Sequence, residues 1–356
     1  MADYVVTPAG AGAKDGSSWA AAMGLAEFET SVEGGGGQAV AVGDNYYLNG
    51  SFTLTSDFLV TFDGTQAAPV SVIGVMTQSD PPVAADWADA DNRQAITAGS
   101  ILLDFDNYWH FHGLDITGTG SSGSHIIRAD QGALFCNCKV ENTAAAVTEA
   151  SLYLGGQGGR AINCEVISQT GRGVYAVGRG CTVLGCYIHD CGRGIYQGSD
   201  HQAFMFNLIE GCSVAGIDSN SRVRTRMVNN TIYNNAIGIW GTTAGESVIW
   251  NNILDSNTVG AQWTTEQLSN WLDWNLWNNT GDVTQATKGP NAVNSDPLFA
   301  NAAGGDFSLL SGSPARGVGF PGAFAGGLAT GYLDLGAVQR RELFRVHPGM
   351  QGGMRG

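Results

Sequence analysis

Two arginines occur in one short phrase, Gly171-Arg172-Gly173-Val174-Tyr175 and Gly192-Arg193-Gly194-Ile195-Tyr196, 21 residues apart. A guanidinium binds carboxylates bidentately, and the tyrosine beside it offers a flat stacking face. With Asp218, Arg222 and Arg224 nearby, Arg172, Arg193, Tyr175 and Tyr196 form the best candidate site, suited to the carboxylate of a uronate or sialate in a glycan. The plain alternative is that each arginine pairs with a local aspartate or lies on its own tyrosine. His189 and Glu210 are a weaker candidate, a histidine–carboxylate combination that general acid–base chemistry uses. The plain alternative there is a surface pair worth well under ~1 kcal/mol. Arg193 is the third weak catalytic candidate. His110, His112 and Asp115, with Asp104 and Asp106, have metal-binding side chains, and His110 and His112 share a strand face. No spacing supplies a third ligand, so no metal is assigned.

These residues lie within a repeat that must position them. One phrase recurs between Cys136 and Asn279: a small or polar pair, any residue, an aliphatic, then a turn former. Its second position falls at Cys138, Cys164, Cys186, Asn207, Asn230, Asn252 and Asn275, in steps of 26, 22, 21, 23, 22 and 23. Leu114 is the preceding member. A period near 22 with short apolar runs means stacked coils. There is no leucine frame for a leucine-rich repeat, and Gly and Asn are too frequent between phrases for helices. The pattern predicts a solenoid of parallel strands, each residue stacking on its equivalent about 4.8 Å away. Arg172 then stacks on Arg193, and His189 on Glu210. Cys191 and Cys212 form a second column. The seven cysteines are predicted to be reduced core thiols, because parallel side-chain vectors suit disulfide geometry poorly. The asparagine column is predicted to be structural, its amides bonding along the axis.

A helix is expected from Trp19 to about Ser31, with Ser17 or Ser18 as N-cap, closing the first coil. The run 39–43 and the runs at Asn45–Leu48, Phe52–Leu54 and Val70–Val75 alternate like strands. Trp263, Trp271, Trp274 and Trp277 are expected to seal the far end. The divisions are 1–36, an N-terminal segment with a capping helix; 37–340, the solenoid with its C-terminal cap; and 341–356, a basic Gly-rich docking tail. Net charge is −15, which argues against nucleic acid as a partner. Residues 340–356 carry +3 and the rest therefore −18. No run approaches the ~20 apolar residues of a membrane span. Met1-Ala2-Asp3-Tyr4 lacks a signal-peptide start, so synthesis in a cytoplasm is expected.

The run Gly10-Ala11-Gly12-Ala13-Lys14-Asp15-Gly16-Ser17-Ser18-Trp19, the phrase Ala67-Ala68-Pro69-Val70-Ser71-Val72-Ile73-Gly74, and the closing pieces Asp296-Pro297-Leu298-Phe299, Ser313-Pro314-Ala315 and Asp334-Leu335-Gly336-Ala337 resemble right-handed parallel β-helix proteins of the pectin-lyase-like superfamily. The resemblance covers residues 10–340 and implies an all-β fold: a right-handed parallel β-helix with an N-terminal capping helix and an irregular C-terminal tail. That superfamily holds polysaccharide lyases, glycoside hydrolases, adhesins and phage virion proteins. The Asn-Thr-Asp, Asp-Asp, Gly-His-Gly and Arg-Ile-Lys motifs of its polygalacturonase-like hydrolases are absent. Of the three lysines only Lys139 lies in the stack.

The missing export signal, the incomplete catalytic set and the basic tail lead to the expectation of a non-enzymatic virion protein of a phage-like particle: a capsid decoration, spike or tail-associated β-helix with glycan binding on its side. Arg340, Arg341, Arg345 and Arg355 would dock it to other virion proteins or to copies of itself, as a trimer by analogy. The alternative is an extracellular polysaccharide lyase or glycoside hydrolase acting on acidic glycans, free or as a tailspike. No cofactor is expected, with Ca²⁺ entering only under the lyase alternative. A cell-surface adhesin is a third, weaker reading.

Overall fold

The computed structural model describes residues 2–35, 38–100, 102–119, 125–144, 149–242, 245–266, 270–320 and 333–339. Its strands pair in parallel throughout the stack and wind into a right-handed parallel β-helix. Eleven strands, one per coil, form the first face, from Asp3–Val6 to Trp271–Asp273. A 19-stranded sheet bends to make the other two faces. Glu165–Ala176 and Tyr187–Gln197 run unbroken around that bend. The second face carries Lys139–Asn142, Leu208–Glu210 and Thr231–Tyr233; the third carries Ala150–Leu154, Ala215–Asn220 and Ile237–Gly241.

Alternation decides what points inward. Val140, Val166, Ile188, Ile209, Ile232 and Leu254 are register partners in successive coils and fully buried. Each is worth roughly 1.5–3 kcal/mol of burial. The cysteines at 138, 164, 186, 191 and 212 continue this filling as buried free thiols and Cys181 is buried too, whereas Cys136, expected in the core, is half-buried because alternation turns Phe135 inward beside it.

The turn between the first and second faces uses one left-handed residue per coil: Asn137, Asn163, Gly185, Phe206, Asn229, Asn251 and Trp274, with φ of 50–64°. Asn and Gly tolerate that region; Phe and Trp are strained there. The next residue of each phrase satisfies the turn. Asn230 Oδ1 accepts from Asn207 N and Nδ2, each at 3.0 Å, while Asn230 Nδ2 donates to Phe204 O (2.9 Å) and Asn252 Oδ1 (2.9 Å). Asn252 and Asn275 repeat the pattern. In earlier coils sulfur replaces the amide, and Cys186 Sγ accepts from Cys164 N at 3.4 Å. A second ladder, Asn235–Asn257–Asn279, continues the Cys191–Cys212 column.

The ends differ from expectation. Asp3–Val6 already pairs with Asn45–Leu48, so the sheet begins at residue 3. The helix is Leu25–Val32, preceded by a 3₁₀ turn at Trp19–Ala21. Met23 is drawn into a bridge with Val6, and Gly24, not a serine, stands at the N-cap, its N–H donating to Glu27 Oε2 at 3.0 Å. Phe28 packs on Tyr46 and Phe58, with ring centroids 5.3 and 5.8 Å away. Residues 39–43 make no strand, because the Asp44 carboxylate closes a turn onto Ala41 N at 2.8 Å. Of the four late tryptophans only Trp263 and Trp277 are buried; Trp271 is 63% exposed, because alternation turns Leu272 inward instead. Among the described residues no helix is long and apolar enough to cross a membrane.

Replacing Asn252 with alanine removes the acceptor of Asn230 N and Nδ2 and the donor to Met227 O and Trp250 O. Stranding buried polar groups costs on the order of 2–4 kcal/mol. The urea midpoint of Asn252→Ala is expected to fall with an unchanged slope, and an unmoved midpoint would show that water replaces the amide.

Candidate functional site

The third face carries a ladder of outward side chains. Arg128, Tyr153, Tyr175, Tyr196, Asp218 and Trp240 are register partners in six successive coils. Ring centroids lie 5.2 Å apart for Tyr153–Tyr175 and 5.0 Å for Tyr175–Tyr196, both edge-to-face. Arg172 and Arg193 are also register partners, as the period predicted. The Arg172 guanidinium lies 4.9 Å from the Tyr175 ring and 4.3 Å from that of Tyr196; Arg193 lies 5.9 Å from Tyr196 and 5.6 Å from Trp240. Such cation–π contacts contribute about 0.5–1 kcal/mol each at exposed sites.

Glycines set this geometry. Gly173, Gly194, Gly216 and Gly238 stack just inside the bend, where a Cβ on Gly194 would sit 2.5 Å from Gly216 O. Only glycine lets the coils approach there, so the preceding arginine of each Gly-Arg-Gly phrase leaves the bend toward solvent.

Carboxylates brace the arginines. Arg193 Nε donates to Asp218 Oδ2 at 2.7 Å, and Asp218 Oδ1 accepts from Asn220 N at 2.9 Å. Burial raises the Asp218 pKa against the opposing pull of Asn220 N and Arg193. Asn220 Nδ2 donates to Tyr196 Oη at 3.1 Å. Arg172 Nη1 is 3.8 Å from Glu149 Oε2, and Arg128 lies between Asp130 (3.2 Å) and Asp104 (3.6 Å). The His125 ring lies 4.1 Å from that of Tyr153, tilted by 36°, and its Nδ1 accepts from Ala150 N at 3.2 Å. Burial lowers its pKa to about 4, so at neutral pH the ring is uncharged and its proton sits on Nε2.

Arg172, Arg193, Tyr175, Tyr196 and Asp218 therefore converge, and they do so in the arrangement of the plain alternative, with each arginine beside an acidic side chain and over its own tyrosine. Arg222 stands in the turn after Asn220, its Nε buried without a hydrogen-bond partner among the described residues. Arg224 faces away in a pair with Glu246 at 2.5 Å. Tyr153, Arg128, Trp240 and His125 extend the site beyond the sequence reading. The ladder period was their signal, since Tyr153 precedes Tyr175 by 22 residues and Trp240 follows Asp218 by 22.

His189 and Glu210 are register partners on the second face, but they do not pair. Glu210 accepts from Tyr187 Oη. His189 Nδ1 is 2.8 Å from Asp190 Oδ2, and its Nε2 lies 3.6 Å from Glu165 Oε1. Its ring stacks on Tyr187 at 4.1 Å. Arg93 Nη1 holds the other Glu165 oxygen at 2.9 Å. Burial pulls the His189 pKa down, but Glu165 and Asp190 outweigh it and the net shift is upward. Glu165 is lowered to about 2 by His189 first, then by Arg93, against burial. Lys139 Nζ is 3.0 Å from Glu141 Oε2; burial lowers its pKa, but Glu141, Asp115 and Glu165 raise it overall, leaving an ammonium and not the free amine a base requires.

His110 and His112 lie on the first face, and burial lowers both pKa values, that of His112 to about 4. Asp104 and Asp115 lie on the other two faces. Among the described residues no group of three His, Cys, Asp or Glu side chains has a metal-binding arrangement. A calcium site, which needs six to eight oxygen ligands, does not fit the carboxylates of this ladder, because Asp104, Asp130 and Asp218 already face arginine. Arg340, Arg341, Arg345 and Arg355, the expected docking residues, lie outside the described residues.

Residues 124–275 match the model of the right handed beta helix region. No curated protein matches the sequence. Among solved structures the chain is similar to pectate lyase Pel9A, with a TM-score of 0.57 and 16% identity over 96% of this chain and 97% of that one. It is similar to a rhamnogalacturonan lyase at a TM-score of 0.56 and 13% identity, covering 83% and 87% of the two chains. It is also similar to the GH136 lacto-N-biosidase of Eubacterium ramulus at 0.53 and 12%, covering 83% and 68%. At these identities the shared property is the right-handed parallel β-helix fold.

The second-face cluster makes a pH prediction. A raised His189 pKa stabilises the fold below its ordinary value of 6.5, and that contribution is lost as pH rises through the folded value. A lowered Glu165 pKa stabilises above the ordinary 4.5 and is lost as pH falls toward about 2. Denaturation midpoints should therefore be highest between these limits, and His189→Gln should remove the alkaline decline. A variant with the wild-type profile would dissociate the pair from stability.

Proposed function

We propose that this β-helix is a carbohydrate-active protein that binds an acidic polysaccharide on its third face, with the Arg172 and Arg193 guanidiniums receiving carboxylates. The observation that carries the reading is the side-by-side placement of these two guanidiniums over the edge-to-face pair Tyr175–Tyr196, on a chain of net charge −15. A polyanion is repelled by most of such a body; on this face Arg172 and Arg193 each already stand beside one carboxylate, Glu149 and Asp218, and an incoming carboxylate shares the guanidinium with that partner. The tyrosine faces add apolar contact for sugar rings. Pectate and rhamnogalacturonan, the glycans in the names of two similar folds, are carboxylate-bearing chains.

Cleavage of the bound glycan is the natural extension. Neutralising a uronate carboxylate stabilises the charge that develops when a base takes the proton from the adjacent carbon, a C=C bond forms and the glycosidic oxygen leaves with its bond to the ring broken and takes up a proton; the arginines supply the neutralisation in such a β-elimination and are not assigned the role of the base. Hydrolysis needs two carboxyl groups flanking the glycosidic bond, whereas Asp218, Asp104 and Asp130 are committed to arginines. This reading departs from the virion expectation because its geometry lies along the rod and not in the tail.

Polygalacturonate binding, followed by calorimetry at low salt, tests the proposal. Arg172→Ala should weaken binding about tenfold, equivalent to ~1.4 kcal/mol. Arg193→Lys, which retains a cation for buried Asp218, should weaken it less. Wild-type affinity in both variants would remove the site. New absorbance from unsaturated uronate ends would mark elimination, and reducing ends without it would mark hydrolysis.

A further inference from the structure

A second aromatic surface lies on the first face, away from the arginine ladder. Trp271 is 63% exposed, and its ring lies nearly parallel to Trp250, at 9° with centroids 5.9 Å apart. Trp274 and Phe320 support Trp250 from the side, with Phe320 4.7 Å from Trp250 and 4.8 Å from Trp274. The support is fixed in place: Asn251 Oδ1 accepts from Phe320 N at 2.7 Å, and Asn251 Nδ2 donates to Phe320 O at 3.2 Å. Trp274 occupies the left-handed turn position with φ of 50°, where most coils place Asn or Gly. A bulky residue there costs about 1–2 kcal/mol, and its backbone strain serves no turn that asparagine would not serve better. Grooves run along both sides of the Trp271 indole, one toward Glu246 and Val248, the other toward Thr287 and Pro290.

The charges around this plate are already engaged. Asp273 accepts from Trp274 N (2.9 Å), Asn291 N (2.8 Å) and Asn291 Nδ2 (2.9 Å). Lys288 donates to Asp282 at 2.8 Å. A flat, rigid apolar plate with hydrogen-bonding edges and compensated charge matches the C–H face of an uncharged pyranose ring. A partner protein fits less well, since a stable interface needs about 800 Å² on each side, far more than one indole and its neighbours present.

We propose that Trp271, backed by Trp250, is a binding platform for a neutral hexopyranose polysaccharide, separate from the acidic-glycan site. The chain would then hold two kinds of sugar segment on two faces, one through charge and one through ring contact.

Affinity electrophoresis of the full chain in gels containing hydroxyethyl cellulose or galactomannan tests this, run at low salt and in ~1 M NaCl, where screening shortens the Debye length to about 3 Å. The wild type should be retarded equally at both salt levels. Trp271→Ala should lose at least about tenfold in affinity, Trp271→Tyr should recover part of it, and both should keep the wild-type melting temperature and polygalacturonate affinity. Three results would overturn the proposal: no retardation of the wild type by either glycan, unchanged retardation of Trp271→Ala, or a smaller sedimenting species for Trp271→Ala, which would make the plate a contact between copies. Because the arginine site is read by polygalacturonate and this one by neutral glycans, failure of either leaves the other standing.

Discussion

The buried amide column from Asn207 to Asn275 is the constraint on which the rest depends. Each coil turns through a left-handed residue whose neighbouring backbone N–H is buried, and the amide of the next coil is its acceptor. A buried donor without a partner costs on the order of 1–3 kcal/mol, so coils that changed length between these anchors would lose the acceptor. Variation is pushed elsewhere, chiefly into the connection between the second face and the third, which spans residues 143–149 in one coil and vanishes in the unbroken strands Glu165–Ala176 and Tyr187–Gln197. The Cys138–Cys164–Cys186 half of the column tolerates sulfur because thiols fill the same volume and accept weakly.

That fixed return spacing turns single residues into ladders. Arg172 and Arg193 lie side by side because their phrases are one coil apart, and the tyrosines beneath them meet edge to face for the same reason. The glycine column brings the backbones close enough at the bend to tilt both arginines outward. The three faces carry different chemistry: aromatic and cationic groups on the third, a self-paired charge cluster around Glu165 and His189 on the second, an uncharged tryptophan plate late on the first. Within the cluster His189 and Glu165 each face opposite charges, which is the basis of the expected pH dependence of stability.

Much of the fold was legible because the period is short and anchored. Leu114, Cys138 and their successors align as the spacing required, and Glu141, Ile167, His189 and Glu210 are register partners. The early third face was harder to see. Arg128 and Tyr153 are 25 residues apart where later rungs are 21 or 22, so an eye fixed on the asparagine phrase passes over them. The N-terminal helix begins at Leu25, later than apolar spacing implies, because Met23 is drawn into a bridge with Val6.

By itself, the sequence determined the coil period, the inward columns and which residues share a rung, since these follow from alternation and from repeated turn chemistry. Only the tertiary structure decided which neighbour each outward side chain takes. His189 has Glu210 directly above it, yet reaches diagonally to Glu165, while Tyr187 claims Glu210. Direct and diagonal neighbours on a sheet are both within reach of a long side chain, and the choice rests on which pairing also satisfies Arg93 and Asp190. The tryptophans follow the same logic: their identity is written in the chain, but strand alternation at Leu272 and the support of Phe320 decide that Trp271 faces solvent while Trp263 and Trp277 close the core.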